Sequence, residues 1–372
     1  LDITRKGKWH QAANCDMTSD TGVQQFSLLS EAFGAGGVSE SLELLPTKCR
    51  TLAVGEGDFV FSEALAASRG SQSGTLVVSC LESEAECVDQ YAGVQQRLQQ
   101  LRDYGAEVIC GVDATRLTSG PLMGLAPFER IIFNFPLLPM KVHKPRASNN
   151  DVQIANRAML VEFLRGAASF LRKDGVLLIA NKDCYPYSWW RLEALPEWAG
   201  GELMCLGALP WKYTEYPSLY GGPCNVNRDA SVKPTDAVIF LYVHADSPSY
   251  RRAINAAASS WRYCCSPGCV QQDPFDFRCE VCLVSTRTAA DFAAHKAGKI
   301  HRKRVALEDC WEAALRASQG RSLMEVTCNL HGPAETEEVH EAVQLSWASR
   351  LFWWAFAYCP CGAKSYGGYT IA

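Results

Sequence analysis

No stretch of eighteen consecutive apolar residues occurs in the 372-residue chain, which excludes a helix of the kind that spans a bilayer. No signal pattern is visible near the start, and the sequence opens on Leu1 rather than Met, which leaves a preceding targeting segment open. Charge is scarce: 20% of residues are charged, and 36 Lys and Arg against 40 Asp and Glu give a formal net charge of -4. A protein that grips nucleic acid over its whole surface is thereby excluded, and any such contact has to be local. Apolar residues, at 48%, are plentiful enough for a sizeable core. The length suggests two or three domains of about 100 to 200 residues each. Of the 17 cysteines, Cys80, Cys110, Cys184 and Cys205 lie in or beside apolar runs. They read as small core residues rather than disulfides, which points to a reducing compartment: nucleus, nucleolus or cytoplasm.

A third glycine is also missing, and that absence matters most. Residues 50–66 read Arg-Thr-Leu-Ala-Val-Gly-Glu-Gly-Asp-Phe-Val-Phe-Ser-Glu-Ala-Leu-Ala, a buried strand, a turn of Gly55, Glu56 and Gly57, and a helix start. Glycine at the end of a parallel strand lets a ligand approach the backbone. A dinucleotide site would want another glycine three positions after Gly57, where this chain has Val60. The Glu56 carboxylate disfavours a phosphate and suits an ammonium. The turn therefore reads as a site for S-adenosylmethionine, and a nicotinamide-dependent oxidoreductase is disfavoured.

Further along, Thr75 to Cys80 reads as a second strand, and Glu82 follows Gly57 at roughly the spacing that reaches a ribose hydroxyl; it could equally cap the next helix. One amphipathic helix is expected from Glu84 to Tyr104, with Val88, Tyr91, Val94, Leu98 and Leu101 on its apolar face. A third strand, Glu107 to Gly111, leads to Asp113, placed either to accept from an adenine amino group or to cap the helix near Thr115. A fourth strand, Arg130 to Phe133, ends in Asn134-Phe135-Pro136. A loop containing His143, a helix from about Asp151 to Arg172 and a fifth strand from Gly175 to Ala180 follow. Strand candidates at Glu202 to Leu209 and Ala237 to Val243 close a doubly wound, mostly parallel α/β sheet whose crevice lies at the strand ends.

Several motifs in order carry a family resemblance. Gly55 to Ser62, Gly111 to Thr115, Arg130 to Pro136, Asn156 to Leu160, Lys182 with Pro186-Tyr187-Ser188-Trp189, and Tyr216-Pro217 with Tyr220 resemble the 25S ribosomal RNA uridine-N3 methyltransferases. The resemblance implies a Rossmann-like class I methyltransferase fold, S-adenosylmethionine as donor and RNA as substrate. It implies that Gly55, Glu56 and Gly57 line the cofactor, Glu82 the ribose and Asp113 the adenine, with Asn134 to Pro136 facing the target base. The chain departs from the family pattern at Val60 (usually serine), Leu137 (usually histidine) and Glu129 (often aspartate). Asn134 suits a planar base edge because its amide both donates and accepts, and Pro136 stiffens the corner. Uridine N3 must lose a proton, for which Asp58 and His143 are the candidate bases. Lys182 and the aromatics Tyr185, Tyr187, Trp189 and Trp190 follow the fifth strand, where rings could stack on a flipped base.

A separate signal lies at Cys279-x2-Cys282-x12-His295-x5-His301. A short hairpin and a helix with that spacing bring two thiolates and two imidazoles around one structural zinc, a small ββα C2H2 finger. Phe292 supplies an apolar residue inside it. The finger resembles the matrin type, which implies binding to double-stranded RNA or adaptor roles. Lys296, Lys299, Arg302, Lys303 and Arg304 form a local basic run suited to phosphates. The expected organisation is a flexible lead-in (1–47), a methyltransferase-like domain (48–246), a linker (247–274), the finger (275–305) and a helical or partly ordered tail (306–372). Two functions fit: an RNA methyltransferase aided by a finger, or a catalytically inactive methyltransferase fold serving as an RNA-binding module.

Overall fold

The computed structural model describes residues 45, 48–70, 75–125, 127–138, 149–210, 224–225, 228–231, 237–247, 263–264 and 277–329. Strand β1, Thr51–Val54, lies inside an eight-stranded sheet, with two strands on one side and five on the other, and all four of its residues are buried. The other strands are β2 (Leu76–Ser79), β3 (Glu107–Ile109), β4 (Phe128–Asn134), β5 (Leu171–Lys182), β6 (Leu203–Pro210), β7 (Ala237–His244) and a short edge strand, β8 (Tyr263–Cys264). Their order is β8-β6-β7-β5-β4-β1-β2-β3. β1 runs parallel to β2 and β4, β2 to β3, and β4 to β5, whereas β7 is antiparallel to both β5 and β6. The chain thus winds outward from β1 to β3, then crosses over to β4 on the other side.

Alternation along each strand feeds two apolar layers, as the period of two requires. Leu52, Ile131, Phe133, Leu177 and Ile179 face one layer, and Ala53, Ile132, Leu178 and Ala180 face the other. The first layer is covered by α4, Asn149–Phe170, and the second by α1 (Val60–Arg69), α2 (Glu84–Gln90) and α3 (Val94–Asp103). The single helix expected from Glu84 to Tyr104 is two helices, because Gly93 adopts φ +75° and restarts the helix. Val88 is consequently exposed, and Cys87 and Tyr91 fill the buried positions. Cys80 and Cys205 are core residues as expected; Cys110 is half-buried and Cys184 exposed, since each stands just past its strand's hydrogen-bonded part.

After α5 (Leu195–Ala199) and the strands that close the sheet, a hairpin of β9 (Phe277–Cys279) and β10 (Val284–Thr286) leads into α6 (Ala289–Ala297), α7 (Lys299–Ser318) and α8 (Leu323–Asn329). The expected boundary at residue 305 falls inside α7. Leu307, Trp311 and Ala314 of that helix are buried in the same layer as α4. Among the described residues no helix is long and apolar enough to cross a membrane.

Candidate active site and metal centre

The strand order reverses between β1 and β4, and loops leaving that point diverge to open a crevice. An open cleft of about 970 Å³, its mouth included, lies there. Gly55, Glu56, Gly57, Asp58, Glu82, Asp113, Asn134, Phe135 and Pro136 all line it. Residues chosen from four separate stretches of sequence therefore meet in one place. Gly55 has φ +69°, and a Cβ on it would lie 2.4 Å from a ring carbon of Phe133. Only glycine lets the β1 turn pass so close to the end of β4.

The turn is pinned from below: the Glu56 N–H donates to the Ser79 carbonyl at 2.9 Å. The Glu56 carboxylate is buried and accepts from the Ser62 N–H at 3.3 Å. Burial, with Asp58 nearby, pushes its pKa up to about 7. Asp58 Oδ1 accepts from the Val60 N–H at 3.2 Å, so it also starts α1. Phe59 there has φ +62° while fully buried, an unusual backbone for a bulky residue. Asp113 caps the short helix Ala114–Ser119: its Oδ1 accepts from the Thr115 N–H at 2.8 Å and the Thr115 hydroxyl at 2.7 Å. Both bonds use the same oxygen. Capping and cleft lining, weighed as alternatives from the sequence, thus coexist.

At the end of β4, Phe135 takes φ +50° and its N–H donates to Ala180 at 2.9 Å. That turn leaves the Asn134 amide in an unusual state. Its Oδ1 and its Nδ2 are both buried, and neither has a partner among the described residues. Buried amides are rarely left so, because each unmade bond costs about 1–3 kcal/mol. The corner is held by Asn156 on α4, whose Oδ1 accepts from the Leu138 N–H at 2.9 Å while its Nδ2 donates to the Val152 carbonyl. Sequence reasoning quoted Asn156 without a role, since the contact spans 18 residues and two elements.

The aromatic segment is placed differently from expectation. Lys182 ends β5 with its ammonium 5.5 Å from the Tyr187 ring centroid, and burial lowers its pKa. Trp190 is buried and donates to Gln153. Trp189, expected to stack on a base, instead has Tyr185 against its edge and Arg304 over its ring at 5.2 Å. Tyr185 remains 47% exposed. None of Lys182, Tyr187 and Trp189 lines the cleft. His143 and the Tyr216-Pro217-Tyr220 motif lie outside the described residues.

In the hairpin and its helices, one ligand atom each of Cys279, Cys282, His295 and His301 comes within 4.8 Å of the others. His301 Nδ1 is 3.5 Å from Cys279 Sγ and 3.4 Å from Cys282 Sγ. A tetrahedral zinc, with bonds of about 2.3 Å to sulfur and 2.0 Å to nitrogen, sets sulfur and nitrogen roughly 3.5 Å apart. His295 Nε2 is buried without a partner among the described residues. Donor set, spacing and the orphaned imidazole all fit zinc. Phe292 stacks on Phe277 at 5.9 Å but is only half-buried, and Cys279 is the one fully buried residue of the hairpin and α6. The basic run divides: Lys296, Lys299, Arg302 and Lys303 are exposed, whereas Arg304 is 3% exposed and faces Glu308. Its expected phosphate role is corrected, because helical spacing turns it toward the core with Leu307 and Trp311.

Residues 52–220 match the BMT5-like family, described as rRNA (uridine-N3-)-methyltransferase BTM5-like. A plant protein, Uncharacterized protein At4g26485 of Arabidopsis thaliana, is 30% identical over 155 residues, covering 42% of this chain and 73% of that protein. The chain belongs to the BMT5-like family. Residues 277–301 match a zinc finger of C2H2 type. Heavy metal-associated isoprenylated plant protein 41 of Arabidopsis thaliana is 37% identical over 144 residues, 39% of this chain, and the chain spans 27% of its length. Ferredoxin-fold anticodon-binding domain-containing protein 1 of Homo sapiens is 33% identical over 132 residues, 35% of this chain and 19% of that protein. Among solved structures, TrmN from Thermus thermophilus aligns at 13% identity with a TM-score of 0.32, covering 60% of this chain and 53% of that one. NSun6 from Pyrococcus horikoshii aligns at 12% with a TM-score of 0.35, covering 60% and 52%. For this BMT5-like chain the fold assignment therefore rests on its own strand order and the family match.

Proposed function

We propose that the chain is an S-adenosylmethionine-dependent RNA methyltransferase acting at uridine N3 of a ribosomal RNA, and that its zinc finger adds to its hold on structured RNA. The observation that carries this reading is the Asn134 amide, a buried donor and acceptor with no partner among the described residues, on a residue that lines the cleft beside a glycine turn and a buried carboxylate. When bound, S-adenosylmethionine supplies an electrophilic methyl group. The chain's own groups do the rest. Gly55 and Gly57 would give the donor room against the backbone, and Glu56 would meet its ammonium. Glu82 and Asp113, which line the same cleft, would hold its ribose and adenine. Asn134 can donate from Nδ2 to a carbonyl flanking uracil N3, fixing the base edge in the plane that aligns its lone pair with the methyl group. Asp58, which lines the cleft beside the glycine turn, would take the N3 proton. Such a substrate would place the protein in the nucleus or nucleolus.

Leu137, where the family usually has histidine, also lines the cleft, and it favours a second reading, a non-catalytic RNA-binding protein. The two separate in one assay of labelled methyl transfer to ribosomal RNA, read out by mass spectrometry of its nucleosides. The enzyme reading expects 3-methyluridine from the native protein and about a hundredfold loss in Asn134→Ala, with donor affinity within a few fold of the native value. Donor that binds tightly yet never moves to any RNA would leave only the second.

A further inference from the structure

Helix α7 begins with a zinc ligand, His301, and ends against the catalytic core. Between them lies a buried ionic and aromatic network that joins residues 151 positions apart. Arg157 of α4, 1% exposed, donates to both oxygens of Glu308, at 2.8 Å and 3.1 Å. Its guanidinium lies 4.9 Å from the ring centroid of Trp198 and 5.0 Å from that of Trp311. Arg304 adds its Nε, 2.9 Å from Glu308 Oε1. Burial lowers the pKa of both arginines, that of Arg304 to about 10. Charges so far out of water persist only where their partners are fixed. Arg304 also covers Trp189, in the segment that leaves β5 at the same end of the sheet as the cleft loops. The first turn of α7, with Lys299, Arg302 and Lys303 exposed, is thereby held beside that segment.

We propose that Arg157, Glu308 and Arg304 clamp the finger to the catalytic domain. The clamp makes the basic start of α7 and exposed Tyr185 one surface for the phosphate backbone of structured RNA, at a fixed spacing from the cleft. The inference rests on the RNA reading above. A rigidly held second grip raises the effective concentration of the first, whereas a finger on a free tether loses much of that gain.

The test uses the full chain carrying Glu308→Ala and, in case that variant folds poorly, Glu308→Gln. The probe is a hairpin RNA of about 20 base pairs, a little more than double-stranded RNA modules cover. Hydrogen exchange in residues 299–318 should quicken, while zinc stays at one per chain and donor affinity is unchanged. RNA affinity should fall about tenfold. The double variant Lys299→Ala with Arg302→Ala should weaken RNA binding and reduce its salt slope by about 2 without loosening α7. Unchanged RNA affinity with a loosened α7 would overturn the composite surface, and unchanged exchange would overturn the clamp. Native protein that binds donor but no RNA would sink the shared surface along with the RNA reading. Failure to bind donor would instead count against the enzyme reading alone, because exchange in α7 reports the clamp regardless.

Discussion

The cleft and the finger are both candidate binding sites built on a hairpin or turn followed by a helix, yet they are stabilised in opposite ways. The cleft sits on a sheet whose central strands are buried on both faces, and its unusual backbone at Gly55, Phe59 and Phe135 is over-determined by the packing beneath. The finger hairpin and α6 bury one residue, Cys279, so they have too little apolar surface to order themselves. There a bound metal would serve as the core, and its binding free energy would be folding free energy. The cleft is shaped by burial, whereas the finger hairpin and α6 leave their order to four side chains that fit a metal.

The largest expected effect is on the finger. Chelation, or Cys279→Ser, should abolish hydrogen-exchange protection across residues 277–297 and take zinc from one per chain to none, while donor affinity changes less than about twofold. A finger that keeps its protection after chelation would erase the contrast. Next comes Gly55→Ala, which places a Cβ into the Phe133 ring at a left-handed φ. Strain of about 1–3 kcal/mol should weaken donor binding about ten- to a hundredfold by calorimetry, with zinc content untouched.

The smallest effect sharpens the account of the cleft. Glu56 has a folded pKa of about 7 against 4.5 for the free group, so the folded state holds its proton longer. Its contribution to stability is fully present below about pH 4.5 and is lost as pH rises through about 7. Glu56→Gln should therefore be more stable than the native protein at pH 8, by about 1–3 kcal/mol in urea, and should lose that advantage near pH 4.5. A bound ammonium would draw the carboxylate back toward its ordinary range, so donor affinity of the native protein should rise with pH to about 8. A flat profile would place the cation elsewhere.

Much of the cleft was legible because its signals are local. A glycine turn after four buried residues, an acid some 25 positions on, and an Asn-Phe-Pro after a strand each announce a strand end, and alternation of strands with helices puts those ends together. The split of the Glu84 to Tyr104 helix was missed because Gly93 carries no periodic signal. The exposure of Cys184 was missed because strand ends fray from view in a single sequence. Arg304 was misassigned for a different reason: five basic residues look alike until a helix face is chosen, and that choice depended on the layer against which α7 packs.

The sequence by itself determined the four metal ligands, the glycine turn and the alternating plan of the sheet, because each is a pattern over a few consecutive residues obeying the geometry of one element. Only the tertiary structure decided that the Asn134 amide is buried without a partner among the described residues, that Asn156 holds the corner beside it, and that Arg157 meets Glu308 across 151 positions. Those are contacts between elements, set by how the layers stack, and no spacing along the chain encodes them.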